Sequence, residues 1–337
     1  MDKESNTKIT LKSRPDGYPR PSDFEVVEEP IPQPREGEVL IKAIWLSLDP
    51  YMRGRMRDVQ SYAPSVQLGS VIVGGVVGRV VEARTPAFAV GDLVVGPLGW
   101  QQYATSEGRN LLRVDTALGP LSTALGILGM PGMTAYFGLL DVCEPRPGDT
   151  VVVSAASGAV GQVVGQIAKI MGCRVIGIAG TQEKIDYIVD ELGFDVGINY
   201  KTQDVMSELA SACPLGIDVY FDNVGGDISD AVMENLADFA RIAICGQISQ
   251  YNLAEPALGP RNVRLLTTHQ ARMEGFLVFQ FAARHDEGRR RIASWIREGK
   301  IKYKEDVVEG IENAPAAFIG MMRGENFGKL LVNISKE

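Results

Sequence analysis

A chain of 337 residues is longer than one comfortable core and points to about two compact units. Hydrophobic residues make up 45% and charged residues 23%, the balance of a globular chain, which excludes intrinsic disorder. A formal net charge of −8 leaves no basic surplus to neutralise phosphates, so nucleic acid and anionic membrane are excluded as general partners.

The opening stretch MDKESNTKITLKSRPDG is mixed in charge and lacks the apolar run of a signal peptide. From about Glu25 to Val114 the segments EVLIKAIWL, SVIVGGVVGRVVEA, GDLVVG and QQYAT are short, β-branched and punctuated by Pro and Gly, which predicts an all-β unit. The most apolar stretch, Leu121 to Leu140, is interrupted by Gly126, Gly129, Pro131 and Gly132 and does not read as a membrane span. A cytoplasmic protein is expected. The four cysteines, Cys143, Cys173, Cys213 and Cys245, form no CxxC pair and read as reduced, mostly buried thiols.

Beyond Leu121 strand-like runs alternate with amphipathic stretches, as a parallel sheet with crossover helices requires. The runs are Thr150 to Ala156, Arg174 to Gly180, Val196 to Tyr200, Asp218 to Val224 and Arg241 to Gly246; the predicted helices are Gly158 to Met171, Gln182 to Leu192, Gln203 to Ala212 and Ile228 to Asp238. In the second helix Ile185, Ile188, Val189 and Leu192 fall on one stripe facing a sheet. A doubly wound α/β domain follows. The tail FGKLLVNI reads as a further strand returning to the first unit.

The run Ser154-Ala-Ala-Ser-Gly158-Ala159-Val160-Gly161 follows a buried strand and opens a helix, the context in which a glycine fingerprint carries meaning. Small residues there let the backbone approach a pyrophosphate, and the helix N-terminus supplies N–H donors. The plainer alternative is a tight strand-to-helix turn. The second strand ends in Gly180, Thr181 and Gln182 without the carboxylate that accepts from a ribose 2′-hydroxyl, and Lys184 lies just beyond. That pattern favours NADPH/NADP+ over NADH; Glu183 turned outward and a merely solvated Lys184 are the competing possibilities.

The segments LSLDPYMRGRM (Leu46 to Met56), LGMPGMTAYFGLLD, AASGAVGQVVGQIAK, GFDVGINYKT, YFDNVGGD, RIAICGQISQYN and GENFGK together carry a family likeness. The chain resembles the zinc-independent medium-chain dehydrogenases/reductases of the leukotriene B4 12-hydroxydehydrogenase, prostaglandin reductase and alkenal double-bond reductase group, the bacterial curcumin reductases most of all. The resemblance implies a GroES-like, β-barrel-type catalytic domain over residues 1–120 and about 310–337, with a Rossmann NADPH-binding domain over about 121–309. It places pyrophosphate contacts at Gly158, Ala159, Val160 and Gly161, and 2′-phosphate and adenosine contacts at Lys184 and Tyr200. Further cofactor contacts fall at Asn223, at Cys245, Gly246, Gln247, Ile248, Ser249, Gln250 and Tyr251, at Phe276, Leu277 and Val278, and at Asn326. Read from the residues alone, Asn223 is an ordinary turn, Cys245 a small buried apolar residue and Phe276 core. A homodimer is expected by the same likeness.

Metal-using cousins of the wider superfamily hold zinc with Cys and His, where this chain has Ser47 and the run Val73 to Gly75; its histidines, His269 and His285, come late and alone. No metal is therefore expected, and the histidines read as surface or helix-terminal. The expected reaction is NADPH-dependent reduction of the C=C bond of an enone or enal, with hydride delivered to the β-carbon and a hydroxyl stabilising the enolate. Tyr51 and Tyr251 are the candidate catalytic donors and Tyr62 a third pocket residue; the alternative is that they only pack against substrate. A quinone reductase of the same fold and a non-catalytic NADPH-binding protein remain rival readings.

Overall fold

The computed structural model describes residues 5–337. The chain divides into two compact units, Met1–Gly126 with Glu305–Glu337, and Ile127–Lys304.

The first unit opens with β1 (Ser5–Leu11) paired antiparallel to β2 (Phe24–Pro30). Then come β3 (Val39–Ser47), a five-residue helix α1 (Tyr51–Arg55), β4 (Val76–Ala83), β5 (Leu93–Gly96), β6 (Tyr103–Ser106) and β7 (Leu112–Arg113). Strand pairing thus begins upstream of the expected all-β stretch. The run written SVIVGGVVGRVVEA is a strand only from Val76; ahead of it Gly74 is closely packed, where a Cβ would stand 2.8 Å from Leu46 Cδ1 and 2.9 Å from Trp100 Cδ1. Trp100 is fully enclosed, stacked on Phe24 at 6.0 Å and edge-on to Phe318 at 5.6 Å.

In the second unit α2 (Met130–Phe137) precedes β8 (Thr150–Ser154), α3 (Gly161–Ile170), β9 (Arg174–Ala179), α4 (Gln182–Asp186) and β10 (Val196–Asn199). Next come α5 (Val205–Ala212), β11 (Ile217–Asp222), α6 (Gly226–Met233), β12 (Leu236–Ile244), α7 (Val263–Thr268), β13 (Arg272–Gly275) and α8 (His285–Arg297). The strands form a six-stranded sheet in the order β10-β9-β8-β11-β12-β13, every pairing parallel. In sequence rank this is 3-2-1-4-5-6, the Rossmann arrangement.

The chain then returns to the first unit as β14 (Glu305–Glu309), α9 (Ala314–Met322) and β15 (Lys329–Asn333). The FGKLLVNI strand lies antiparallel on β3, with Leu331 opposite Ser47 and Val332 opposite Leu46. The larger sheet runs β14-β15-β3-β4-β5-β7, with β6 on β3. Since β14 pairs with β15, residues from Glu305 onward belong to this unit.

Two predicted helices need correction. The stretch Ile228 to Asp238 is helical only as far as Met233, and Leu236 already begins β12, its first residue paired with Ile217. Here the sheet register overrides the local pattern, and Phe239 takes a left-handed φ of 64° inside the strand. The stretch Gln182 to Leu192 starts as α4 and finishes in π-helical turns over Tyr187–Glu191, with Ile185, Ile188 and Leu192 buried and Val189 half-buried. All four cysteines are free thiols, and Cys143, Cys173 and Cys213 are buried. His269 is the C-cap of α7 and His285 the first residue of α8.

The helix α3 is enclosed almost throughout, including Gln162 and Gln166. Buried amides need partners, and they find them in the last segment of the unit. Gln166 exchanges two bonds of 2.8 Å with the backbone of Lys302, and Gln162 Oε1 accepts from Lys304 N at 3.0 Å and from the Tyr187 hydroxyl at 3.2 Å. Phe194 packs over the same helix at Gly165, where an added Cβ would lie 1.8 Å from its ring. Substituting Gly165→Ala gains up to about 1 kcal/mol of helix propensity but overpacks a closed core at a cost of about 1–3 kcal/mol. Net destabilisation is expected as a lower urea midpoint with an unchanged m-value; a variant as stable as the parent would show that Phe194 has room to yield.

Candidate active site

All six parallel strands deliver their carboxyl ends to one edge of the sheet, and the reversal of strand order lies between β8 and β11. Ligands of open α/β sheets bind at such an edge. There β8 ends at Ser154, Ala155 takes a left-handed φ of 49°, and α3 starts at Gly161. Gly161 is bare because of its own chain: a Cβ would stand 2.3 Å from Ala155 O. Gly158 differs. A Cβ there would meet only Ala155 O, at 3.1 Å, so its remaining side faces open space. Gly158, Ala159 and Val160 are half-buried and sit where the first amides of the helix lack intrahelical acceptors. The turn thus keeps a bare, donor-rich surface, which suits a pyrophosphate.

Sequence reasoning did not find what closes the gap between β8 and β11. Asp222, only 1% exposed, accepts at Oδ1 from the Tyr220 hydroxyl and the amides of Val224 and Gly225, each at 2.9 Å, and at Oδ2 from Ser229 Oγ at 2.6 Å. Ser154 Oγ, 3.3 Å from Asp222 Oδ1, accepts from Asn223 N at 2.9 Å, and Asn223 Nδ2 donates to Ser154 O at 2.8 Å. Asn223 is therefore a strap between two strand ends. Burial, followed by the neighbouring Asp222, pushes the Tyr220 phenol far up, so it stays a donor. An aspartate ending a strand before Asn-Val-Gly-Gly was the available signal.

The expected run from Cys245 to Tyr251 is stitched to the same loop. Cys245 and Gly246 donate to Asp222 O at 2.9 and 3.1 Å, Ile248 to Asn223 O at 3.4 Å, and Ser249 to Val224 O through its amide at 3.1 Å and its hydroxyl at 2.7 Å. Gln250 Nε2 donates to Ser249 Oγ at 2.9 Å. The Tyr251 hydroxyl accepts from Gln247 N at 3.3 Å, next to Gly246. Burial pushes the Cys245 thiol up to about 12, so it is no nucleophile.

At the carboxyl end of β9 the ring of Tyr200 lies against Gly180, where a Cβ would come within 2.9 Å of it; Lys184 follows in α4, its amide donating to the N-cap Thr181 Oγ1 at 3.3 Å. Lys184 and Tyr200 thus flank one strand end, Tyr200 being 43% exposed. Phe276 and Val278 are buried, and Phe276 packs edge-on to Phe221 at 6.1 Å, which makes its side chain core; Leu277 is exposed.

In the first unit Tyr51 is half-buried at the start of α1. Burial first, then the Asp49 carboxylate and Tyr62, push its phenol well above the ordinary value, with Arg55 opposing. Tyr62 is largely exposed, and the half-buried Asn326 donates to Gly328 O at 3.1 Å between α9 and β15. The Ser47 hydroxyl donates to Asp49 Oδ2. Among the described residues no group of three or more His, Cys, Asp or Glu side chains is placed to hold a metal ion.

Asp222→Ala is expected to remove the acceptor of five donors at once and to cost about 3 kcal/mol in denaturant unfolding, with Asp222→Asn in between because it keeps one acceptor oxygen. A fully stable Asp222→Ala would show that the network holds nothing together.

The N-terminal domain of oxidoreductase family matches residues 7–114 and the zinc-binding dehydrogenase family residues 159–294. A putative NADP-dependent oxidoreductase of Bacillus subtilis is 50% identical over 98% of this chain and 98% of its own length. The NADPH-dependent curcumin reductase of Escherichia coli is 46% identical over 99% of each chain. The crystal structure of CurA from Vibrio vulnificus in complex with NADPH superposes with a TM-score of 0.94 at 46% identity, covering 98% of this chain and 100% of that one. On that whole-length likeness, and on the sheet that underlies it, the chain belongs to the medium-chain dehydrogenase/reductase family, in the group of the curcumin, 2-alkenal and prostaglandin reductases.

Proposed function

We propose that the chain is an NADPH-dependent reductase of the carbon–carbon double bond of α,β-unsaturated aldehydes and ketones. The observation that carries the cofactor is the bare turn at Gly158, which the chain's own packing only half explains. Gly158 to Gly161 would hold the pyrophosphate, Lys184 and Tyr200 the 2′-phosphate and adenosine, and the stitched loops of Asn223 and Cys245 to Tyr251 the rest, with Phe276 to Val278 and Asn326 as further contacts. The residues fit that group: no carboxylate closes β9, and an ammonium and an aromatic ring flank its end. Bound there, NADPH supplies a hydride.

The substrate class draws support from the relatives, named for curcumin, 2-alkenal and prostaglandin substrates. Adding a hydride to the β-carbon of such a substrate leaves an enolate, whose oxygen needs donors as its charge grows. Tyr51 and Tyr251 supply hydroxyls for that purpose, and Tyr62 lines the substrate side. Burial keeps Tyr51 protonated beyond the ordinary phenol range, which suits a donor and not a base. The Tyr251 hydroxyl is held beside this loop by accepting from Gln247 N. The reading includes a cytoplasmic homodimer joined through the open edge strand β13, whose four residues are all exposed.

NADPH is expected to be preferred over NADH, and Lys184→Ala to raise KM for NADPH by the equivalent of about 1–3 kcal/mol while leaving NADH use almost unchanged. Equal use of the two cofactors by the parent would defeat the assignment.

With an enone and C4-deuterated NADPH, the label is expected at the β-carbon of a saturated ketone. Tyr251→Phe should lower kcat by up to roughly a hundred-fold with a smaller change in KM. An allylic alcohol as the main product would refute the reaction, quinone as the only acceptor would move the chain to the rival chemistry, and no turnover with either would leave a binding protein.

A further inference from the structure

Lys329 and Asp49 form the most enclosed ion pair among the described residues, their side chains 3% and 8% exposed. Lys329 Nζ donates to Leu48 O at 2.8 Å and to Asp49 Oδ1 at 2.9 Å, while Ser47 Oγ donates to Asp49 Oδ2. The strand register explains how a residue near the C-terminus reaches there. Leu331 pairs with Ser47, so Lys329, two residues earlier on the antiparallel β15, lies beside the chain just after β3. That chain is Leu48-Asp49-Pro50-Tyr51.

A buried ion pair is weak evidence for stability, since desolvation of both charges offsets most of their attraction. Its effect here is on direction. With five residues, α1 is too short to hold its own orientation, which the grips on its flanks must set. On the leading side Asp49 O accepts from Met52 N at 3.1 Å, and Lys329 fixes both the carbonyl before Asp49 and its carboxylate. On the trailing side the fully buried Arg53 donates to Pro15 O at 3.1 Å and Gly17 O at 2.8 Å. Glu305 lies opposite Lys329 in the β14–β15 register; burial pushes its carboxyl up, while a hydrogen bond from Ser122 and the Lys329 ammonium draw it back down. The carboxylate hydrogen-bonded to the ammonium, at 2.9 Å, is Asp49.

We propose that Lys329 is a positioning residue for Tyr51, acting through Asp49 and the Leu48 carbonyl to aim the phenol at the developing enolate oxygen. This rests on the reading of Tyr51 as a donor. Lys329 touches neither substrate nor cofactor in this proposal; it removes the freedom of the turn from which Tyr51 springs, and geometry lost there is paid in rate.

The test is a double-variant cycle on the full-length enzyme, reading kcat with an enone and the dissociation constant of NADPH by its fluorescence. Lys329→Met is expected to lower kcat about tenfold with NADPH affinity held within about twofold, and to lower kcat less than about twofold when Tyr51 is already Phe. Lys329→Met/Asp49→Asn removes both charges of the pair together and should fold and be as slow as Lys329→Met, which guards against simple misfolding. Parental kcat in both Lys329 variants, losses that multiply with Tyr51→Phe, kcat and NADPH affinity falling together, or failure of both variants to fold would each overturn the positioning role. A Tyr51→Phe enzyme with parental kcat would instead remove the donor reading beneath it, and the positioning role with it.

Discussion

Between β8 and β11 the six parallel strands reverse their direction of winding, and what the second unit can offer a ligand depends on how that seam is closed. A parallel sheet ends in a row of backbone groups that must find partners or face solvent. Here Asp222 answers most of that demand. It is held by hydroxyls and amides, an arrangement that can stabilise a carboxylate without burying a second charge. Two loops are thereby fastened to one side chain and the carbonyl of the same residue. The bare turn at Gly158 can remain bare because its neighbours are fixed without it.

The first unit solves a different problem with buried charge. A strand turns through Asp49 and Pro50 into a helix of five residues, and buried cations grip the chain before and after Tyr51. Apolar packing alone would not fix the direction of so short an element, since hydrophobic contact is non-directional. Hydrogen bonds from an ammonium and a guanidinium are directional; the sheet brings Lys329 to its place, and Arg53 reaches from α1 to the chain that follows β1.

The family described as zinc-binding dehydrogenase matches residues 159–294, while Ser47 and Gly74, the region that the resemblance sets against the ligands of metal-using cousins, lie in the first unit. Ser47 is committed to Asp49, and Gly74 is held bare by Trp100 and Leu46. Both positions are thus tied into their surroundings. One fold can host several chemistries, because function depends on the residues carried at its sites.

Much of this was legible in the residues themselves. Alternation of β-branched runs with amphipathic stretches announced the parallel sheet, because burial on both faces demands continuous apolar strands and the crossovers demand helices. The glycine turn, the missing carboxylate after β9 and the strand character of FGKLLVNI are also local or nearly local signals, whereas its pairing with β3 is not. Two things were out of reach. Helical periodicity suggested that Ile228 to Asp238 was one helix, and only the pairing of Leu236 with Ile217 turned its end into strand. The networks of Asp222 and Lys329 were hidden for the same reason: Asp222 answers Ser154 across 68 residues and Lys329 answers Asp49 across 280. Sequence by itself determined which residues are small, apolar or charged along each element, and hence the class of fold and the chemistry of its turns. Tertiary structure alone decided which polar groups meet, because a buried donor takes the acceptor that strand register brings within about 3 Å of it, however far away that acceptor lies in the chain.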